Sequence, residues 1–172
     1  PRSTLFPYTT LFRSAEDLMS FLDTRGMRIP EELSSLMKDE VGWTSILIVD
    51  DDRDLNDLLK RWVEKKLPDY RVFQAYDGFE AGKALAELRP GFVFLDIDLP
   101  GIDGHKLCRK IKEDPSFGKP FVLAMTGLDI PEERNAMLDD GADAFFAKPL
   151  DFDQVIAGIR DLADKLVPPA HD

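Results

Sequence analysis

Four apolar runs in this sequence end in residues able to do chemistry. Asp50 and Asp51 follow Ile46-Leu47-Ile48-Val49, and Asp96 follows Phe92-Val93-Phe94-Leu95, with Asp98 two residues on. Thr126 closes the run 121–125, and Lys148 follows Ala144-Phe145-Phe146-Ala147. Runs of this length suit strands buried on both faces, and Pro100-Gly101 forbids continuation of the one that ends at Asp96. Asp96 is therefore expected at a strand's carboxyl end, the edge of an open α/β sheet where ligands and chemistry collect. On that stretch alone, a carboxylate capping the following turn is the competing explanation.

If the strand order is 2-1-3-4-5, the first and third strands are neighbours, and Asp50, Asp51 and Asp96 converge on one crevice. Like charges so close raise one another's pKa, and a divalent cation that prefers oxygen relieves them. Mg²⁺ is the natural choice, because it takes only one or two carboxylates and leaves positions for a phosphoryl oxygen. Lys148, fixed by Pro149, can meet a phosphoryl oxygen as a point charge, and the Thr126 hydroxyl can donate to another. Metal, lysine and hydroxyl together would neutralise a transferring phosphoryl group, with Asp96 as the nucleophile.

The elements needed to position these residues are legible in the periodicity. After the strand at 46–49, Leu55, Leu58, Leu59 and Trp62 recur at helical spacing; residues 70–75 read as a strand and 81–88 as a helix. A helix is expected over 104–112, a strand over 121–125, a helix over 131–138, a strand over 144–147 and a helix over 152–166, before Pro168-Pro169. Five alternating βα units imply right-handed crossovers and a parallel sheet covered on both faces: a doubly wound, flavodoxin-like (βα)5 fold. Its expected limits are residues 45–168, with a tail over 169–172.

Composition narrows the function. The 172 residues are 44% hydrophobic and 32% charged, as in soluble globular chains, and the formal charge of -11 disfavours a nucleic-acid-binding face. One cysteine excludes an internal disulfide, and two scattered histidines form no zinc constellation. No apolar run approaches the roughly 20 residues that span a bilayer, and no signal-peptide layout opens the sequence, which points to the cytoplasm.

The first 44 residues read differently. Residues 1–14 include Thr4-Leu5-Phe6-Pro7-Tyr8-Thr9-Thr10-Leu11-Phe12-Arg13-Ser14, which looks like the in-frame translation of a sequencing-library adapter and is expected to be foreign. Residues 15–44 read as a helical extension or linker, with Leu18, Phe21 and Leu22 on one face and Pro30 opening a second short helix.

The main domain resembles the receiver domain of two-component response regulators. The resemblance is carried by Ile46-Leu47-Ile48-Val49-Asp50-Asp51, by Phe94-Leu95-Asp96-Ile97-Asp98-Leu99-Pro100-Gly101-Ile102-Asp103-Gly104, by Met125-Thr126-Gly127, and by residues 141–149, which end in Phe146-Ala147-Lys148-Pro149. It implies that Asp96 accepts a phosphoryl group from a histidine kinase or phosphotransfer protein. It further implies that Asp50, Asp51, Asp96 and the main-chain carbonyl at Asp98 hold Mg²⁺, and that Thr126 and Lys148 engage the phosphoryl group. Phe145 stands at the aromatic switch position, where many relatives carry tyrosine. The output face would be the fourth helix, fifth strand and fifth helix, a surface suited to homodimerisation. Ala15 to Leu22 and Gly26 to Leu33 resemble the tail of excisionase-like helix-turn-helix domains that precede receivers in some bacterial regulators. DNA contact, on this reading, belongs to a domain missing from the chain.

A haloacid-dehalogenase-type phosphohydrolase also uses a D-x-D pair, which Asp96-Ile97-Asp98 satisfies. Pro100 and the early position of Asp50-Asp51 depart from that family. A stand-alone receiver without DNA-binding output is the other alternative. Cys108 is expected to be packing, His105 to be solvated and without ligand partners, and Asp139-Asp140 to be a solvated helix end.

Overall fold

The computed structural model describes residues 44–164. The expected adapter-like peptide, the helical extension up to residue 43 and the stretch from residue 165 lie outside the described residues. Within them run β1 (Ser45–Val49), α1 (Arg53–Lys66), β2 (Arg71–Ala75), α2 (Gly78–Leu88), β3 (Phe92–Asp96), α3 (Gly104–Glu113), a 3-10 turn (Pro115–Phe117), β4 (Phe121–Thr126), α4 (Pro131–Asp139), β5 (Ala144–Ala147) and α5 (Phe152–Asp164). The five strands form one sheet in the expected order β2-β1-β3-β4-β5, and every pairing is parallel.

The register aligns the functional ends. Val49 lies opposite Leu95, Asp96 opposite Met125, and Thr126 opposite Ala147. Three of the four ladders run one hydrogen bond past the strand: the amides of Asp50, Ile97 and Lys148 donate to the carbonyls of Ala75, Met125 and Thr126 at 3.2, 3.0 and 2.7 Å. The first residue after each of these strands is thereby as fixed as the strand itself.

One face of the sheet presents Leu47, Val49, Val93, Leu95, Val122, Ala124 and Phe145 to Ala81 and Leu85 of α2, Cys108 and Ile111 of α3, and Met137 of α4 in a single buried core. The alternate residues Ile46, Ile48, Phe92, Phe94, Leu123 and Met125, buried like them, point to the other face. There α1 and α5 meet through the rings of Trp62 and Phe152, whose centroids are 5.5 Å apart.

Short acidic caps start α1, α2 and α3. The Asp52 carboxylate accepts from the amides of Asp54 and Leu55, that of Asp77 from Glu80 and that of Asp103 from Lys106. The Asp77 cap starts α2 at Gly78, three residues before the expected Ala81. Gly104 is required by close approach: a Cβ there would stand 2.5 Å from the Ile97 main chain, so the amino end of α3 presses directly on the loop after Asp96.

The inward face of α1 adds to the sequence reading. Asn56, Leu59 and Val63 are buried, whereas Leu58 is 49% exposed. The leucine spacing fits a helical stripe, but the polar Asn56 takes the innermost position because it has main-chain partners there.

Candidate functional site

Asp50, the first residue beyond β1, is buried, and its carboxylate is held from several sides. Oδ1 accepts the Asp52 amide at 2.9 Å, while Oδ2 lies 2.9 Å from Lys148 Nζ as an ion pair but receives no aligned hydrogen bond. Burial raises its pKa above the ordinary carboxylate value. The Asp96 charge adds to that, and Lys148 and the Asp52 amide pull against it.

Asp96 closes β3 and is also buried. Its Oδ1 accepts the Asp98 amide at 3.1 Å, and its Oδ2 accepts a hydrogen bond from Lys148 Nζ at 2.9 Å. One ammonium thus bridges two carboxylates carried by adjacent strands. Burial works against the charged lysine, yet Asp50 and Asp96 outweigh it and raise its pKa. The lysine that follows β5 is thus the counter-ion of both acids.

Asp51 is exposed at the mouth, and one carboxylate oxygen from each of Asp50, Asp51 and Asp96 fits within a 4.8 Å cluster. Three carboxylates against one ammonium leave a formal excess of two negative charges, which a hard divalent cation matches. The donor set is all oxygen, and the buried Asp50 Oδ2 without an aligned hydrogen bond is an atom suited to such an ion. These residues fit Mg²⁺.

Thr126 is buried at the end of β4. Its Oγ1 donates to Asp98 Oδ2 at 3.2 Å and accepts the Leu128 amide at 3.0 Å; the Gly127 amide also donates to Asp98 Oδ2, at 3.0 Å. Asp98 therefore engages β4 through its side chain, a contact that sequence reasoning missed. Phe145 on β5 is buried in the core, with the Arg134 guanidinium of α4 4.8 Å from its ring centroid.

Asn56 is a second residue that the sequence reading overlooked. Its Nδ2 donates to the main-chain carbonyls of Asp50 and Ala75 at 3.0 and 3.1 Å, tying the ends of β1 and β2 to α1. Gln74 Nε2 completes the network, donating to Asn56 Oδ1 at 3.1 Å and Asp57 Oδ1 at 2.7 Å. The available signal was one asparagine interrupting an apolar helical stripe six residues after Asp50.

Away from the crevice, two expectations fail. His105 is not left to solvent: Nδ1 lies 2.5 Å from Asp140 Oδ2 and Nε2 2.9 Å from Glu133 Oε1, linking α3 to α4. Asp140 also pairs with Arg109, so it is half of a bridge and not a free helix end, although Asp139 is exposed as expected. The partners come from a helix 28 and 35 residues away, which local spacing does not reveal. Cys108 behaves as packing: it is buried, and burial pushes its thiol up to about 11.

Comparison with known proteins agrees with this architecture. The family described as the response regulator receiver domain matches residues 46–160. The chain is 36% identical over 118 residues to the DNA-binding dual master transcriptional regulator RpaA of Synechocystis, covering 68% of this chain and 48% of that protein. It is 37% identical over 124 residues to the response regulator MprA of a Mycobacterium species, covering 72% of this chain and 52% of that protein. The chain spans about half the length of these curated relatives. Among solved structures, the signal receiver domain of a DNA-binding response regulator from Colwellia psychrerythraea superposes with a TM-score of 0.67 at 34% identity, covering 70% of this chain and 98% of that one.

Proposed function

The chain belongs to the response regulator receiver domain family, a signalling module and not a classical enzyme, and on that premise we propose that it is the phosphoacceptor of a two-component phosphorelay. The observation that carries the proposal is the Lys148 ammonium 2.9 Å from both Asp50 Oδ2 and Asp96 Oδ2.

Asp96 is the nucleophile. One of its oxygens attacks the phosphorus of a phosphohistidine on a histidine kinase or phosphotransfer protein. A P–O bond forms as the P–N bond breaks, and the leaving imidazole nitrogen keeps the bonding pair. Lys148, already placed against Asp96, pairs with the negative phosphoryl oxygens, and Thr126 supplies a hydroxyl donor. Asp50, Asp51 and Asp96, with the main-chain carbonyl at Asp98, would hold Mg²⁺. That ion, when bound, neutralises the charge of the transferring group.

The switch runs from the crevice to the face of α4, β5 and α5. Thr126 lies beside Ala147 in the β4–β5 ladder, and Phe145 is two residues earlier on β5. Drawing Thr126 toward the phosphoryl group repacks Phe145 and α4, altering affinity for a partner or a second copy of the chain. Two of the relatives that match are named as DNA-binding regulators, which supports a transcriptional output through a separate domain, of which residues 15–32 are a remnant. Among the described residues no helix is long and apolar enough to cross a membrane.

Incubation with a small phosphodonor and Mg²⁺, followed by intact-protein mass spectrometry, tests the acceptor. One phosphoryl adduct is expected on the parent and none on Asp96→Asn, while Asp51→Asn loses most of its metal affinity. Labelling of Asp96→Asn equal to the parent overturns the assignment.

A further inference from the structure

Asp98 contributes more than a main-chain carbonyl. A threonine hydroxyl has a single proton, and that of Thr126 is committed to Asp98 Oδ2 at 3.2 Å. The next main-chain donor, the Gly127 amide, is committed to the same oxygen at 3.0 Å. The Asp98 amide in turn donates to Asp96 Oδ1 at 3.1 Å, which anchors the residue beside the acceptor. One exposed carboxylate thus sits across the crevice mouth and takes both donors at the end of β4.

We infer that the Asp98 carboxylate is an internal anion that competes with a phosphoryl group on Asp96 for Thr126 and the Gly127 amide, holding the end of β4 in its resting position. This inference rests on the phosphoacceptor reading of Asp96. Hydrogen bonds to an ionised acceptor are stronger than neutral ones, so both must be exchanged before β4 can follow the phosphoryl group. A ligand that needs a fractionally populated state binds with its affinity reduced by that fraction, and Asp98 sets the fraction. Asp98 is in this sense a positioning residue: it acts through Thr126 and Gly127.

The test uses the full chain and beryllofluoride with Mg²⁺, a phosphoryl mimic, with affinity measured by calorimetry. Asp98→Ala is expected to bind the mimic more tightly, on the order of tenfold. Asp98→Asn removes the charge but keeps a carbonyl that can accept the Gly127 amide, so its gain is expected to be smaller. Equal gains in the two variants would assign the effect to charge repulsion alone and overturn the competition.

In the Thr126→Ala background the gain from Asp98→Ala is expected to shrink, because one of the contested donors is already gone. A readout without the mimic separates the contact from the chemistry. Hydrogen exchange at the Gly127 amide of the resting protein is expected to accelerate in Asp98→Ala, and an unchanged rate overturns the inference. A parent that binds no beryllofluoride overturns the phosphoacceptor reading itself. A parent that binds it while the variants show no difference overturns only the role of Asp98.

Discussion

The side-chain amide of Asn56 donates to the main-chain carbonyl of Asp50 at 3.0 Å, reaching back six residues from the first turn of α1 to the end of β1. The same nitrogen reaches Ala75 at 3.1 Å, and so closes a clamp over the two strand ends from which the acidic crevice begins. The direction of the Asp50 carboxylate is set by its main chain, and that main chain is held by Asn56.

Asn56→Ala leaves two buried carbonyls short of a donor, at a cost of about 1–3 kcal/mol for each group left unsatisfied. The Asp50 amide still donates to Ala75, which places the loss at the low end of the range for that carbonyl. Urea denaturation is expected to show a lower midpoint with little change in slope. An unchanged midpoint would mean that the clamp contributes nothing.

Lys148→Met removes the cation shared by two buried carboxylates. Breaking such a pair from one side costs about 3–5 kcal/mol, since the remaining charges stay desolvated. Added Mg²⁺ is expected to raise the thermal midpoint of Lys148→Met more than that of the parent, because ligand linkage then supplies the missing positive charge. Equal shifts in both proteins would count against a shared site for the lysine and the metal.

His105 makes the stability depend on pH. Burial favours its neutral form, but hydrogen bonds and charges from Asp140 and Glu133 outweigh that and raise its pKa above the ordinary 6.5. A raised folded-state pKa stabilises the fold fully below the unfolded value, and the contribution is lost as pH rises through the folded value. Between pH 6 and the region above that raised pKa, the parent is expected to lose thermal stability relative to His105→Gln. Parallel curves for the two proteins would show that the bridge carries no net charge coupling.

Thr126→Ala separates acceptance from response. The variant keeps Asp96, Asp50, Asp51 and Lys148, so it should still take a phosphoryl group, while its oligomeric state or partner affinity no longer follows. Sedimentation with and without beryllofluoride reads this directly. An unimpaired response would route the coupling away from Thr126.

Most of the fold was legible because the strands are short apolar runs that stop at polar residues and the helices carry apolar residues at helical spacing. Asp50, Asp96 and Lys148 could be brought together from the strand order alone, since parallel strands put their carboxyl ends on one edge. What escaped was set by partners distant in sequence. Leu58 shares the helical spacing of Leu55, Leu59 and Trp62 yet faces out, while Asn56 finds two carbonyls inside. His105 resembled a solvated turn residue until α4 placed two carboxylates against it. The Asp98 contact with Thr126 depends on a side-chain direction that a D-x-D spacing does not encode.

The lysine bridge also has a consequence for synthesis of the chain. Asp50 follows β1 and Asp96 ends β3, two strands that pair with each other, and both acids are made well before Lys148, which follows the last strand. A nascent chain that has completed β1 to β4 can bring its two acids together while their common cation is still absent. The sheet edge is then a site of like-charge repulsion that eases only when β5 docks. Translation order thus makes the final strand the step that brings the shared cation to the two acids, and a chain stopped before residue 144 retains an acid pair disfavouring its own closure.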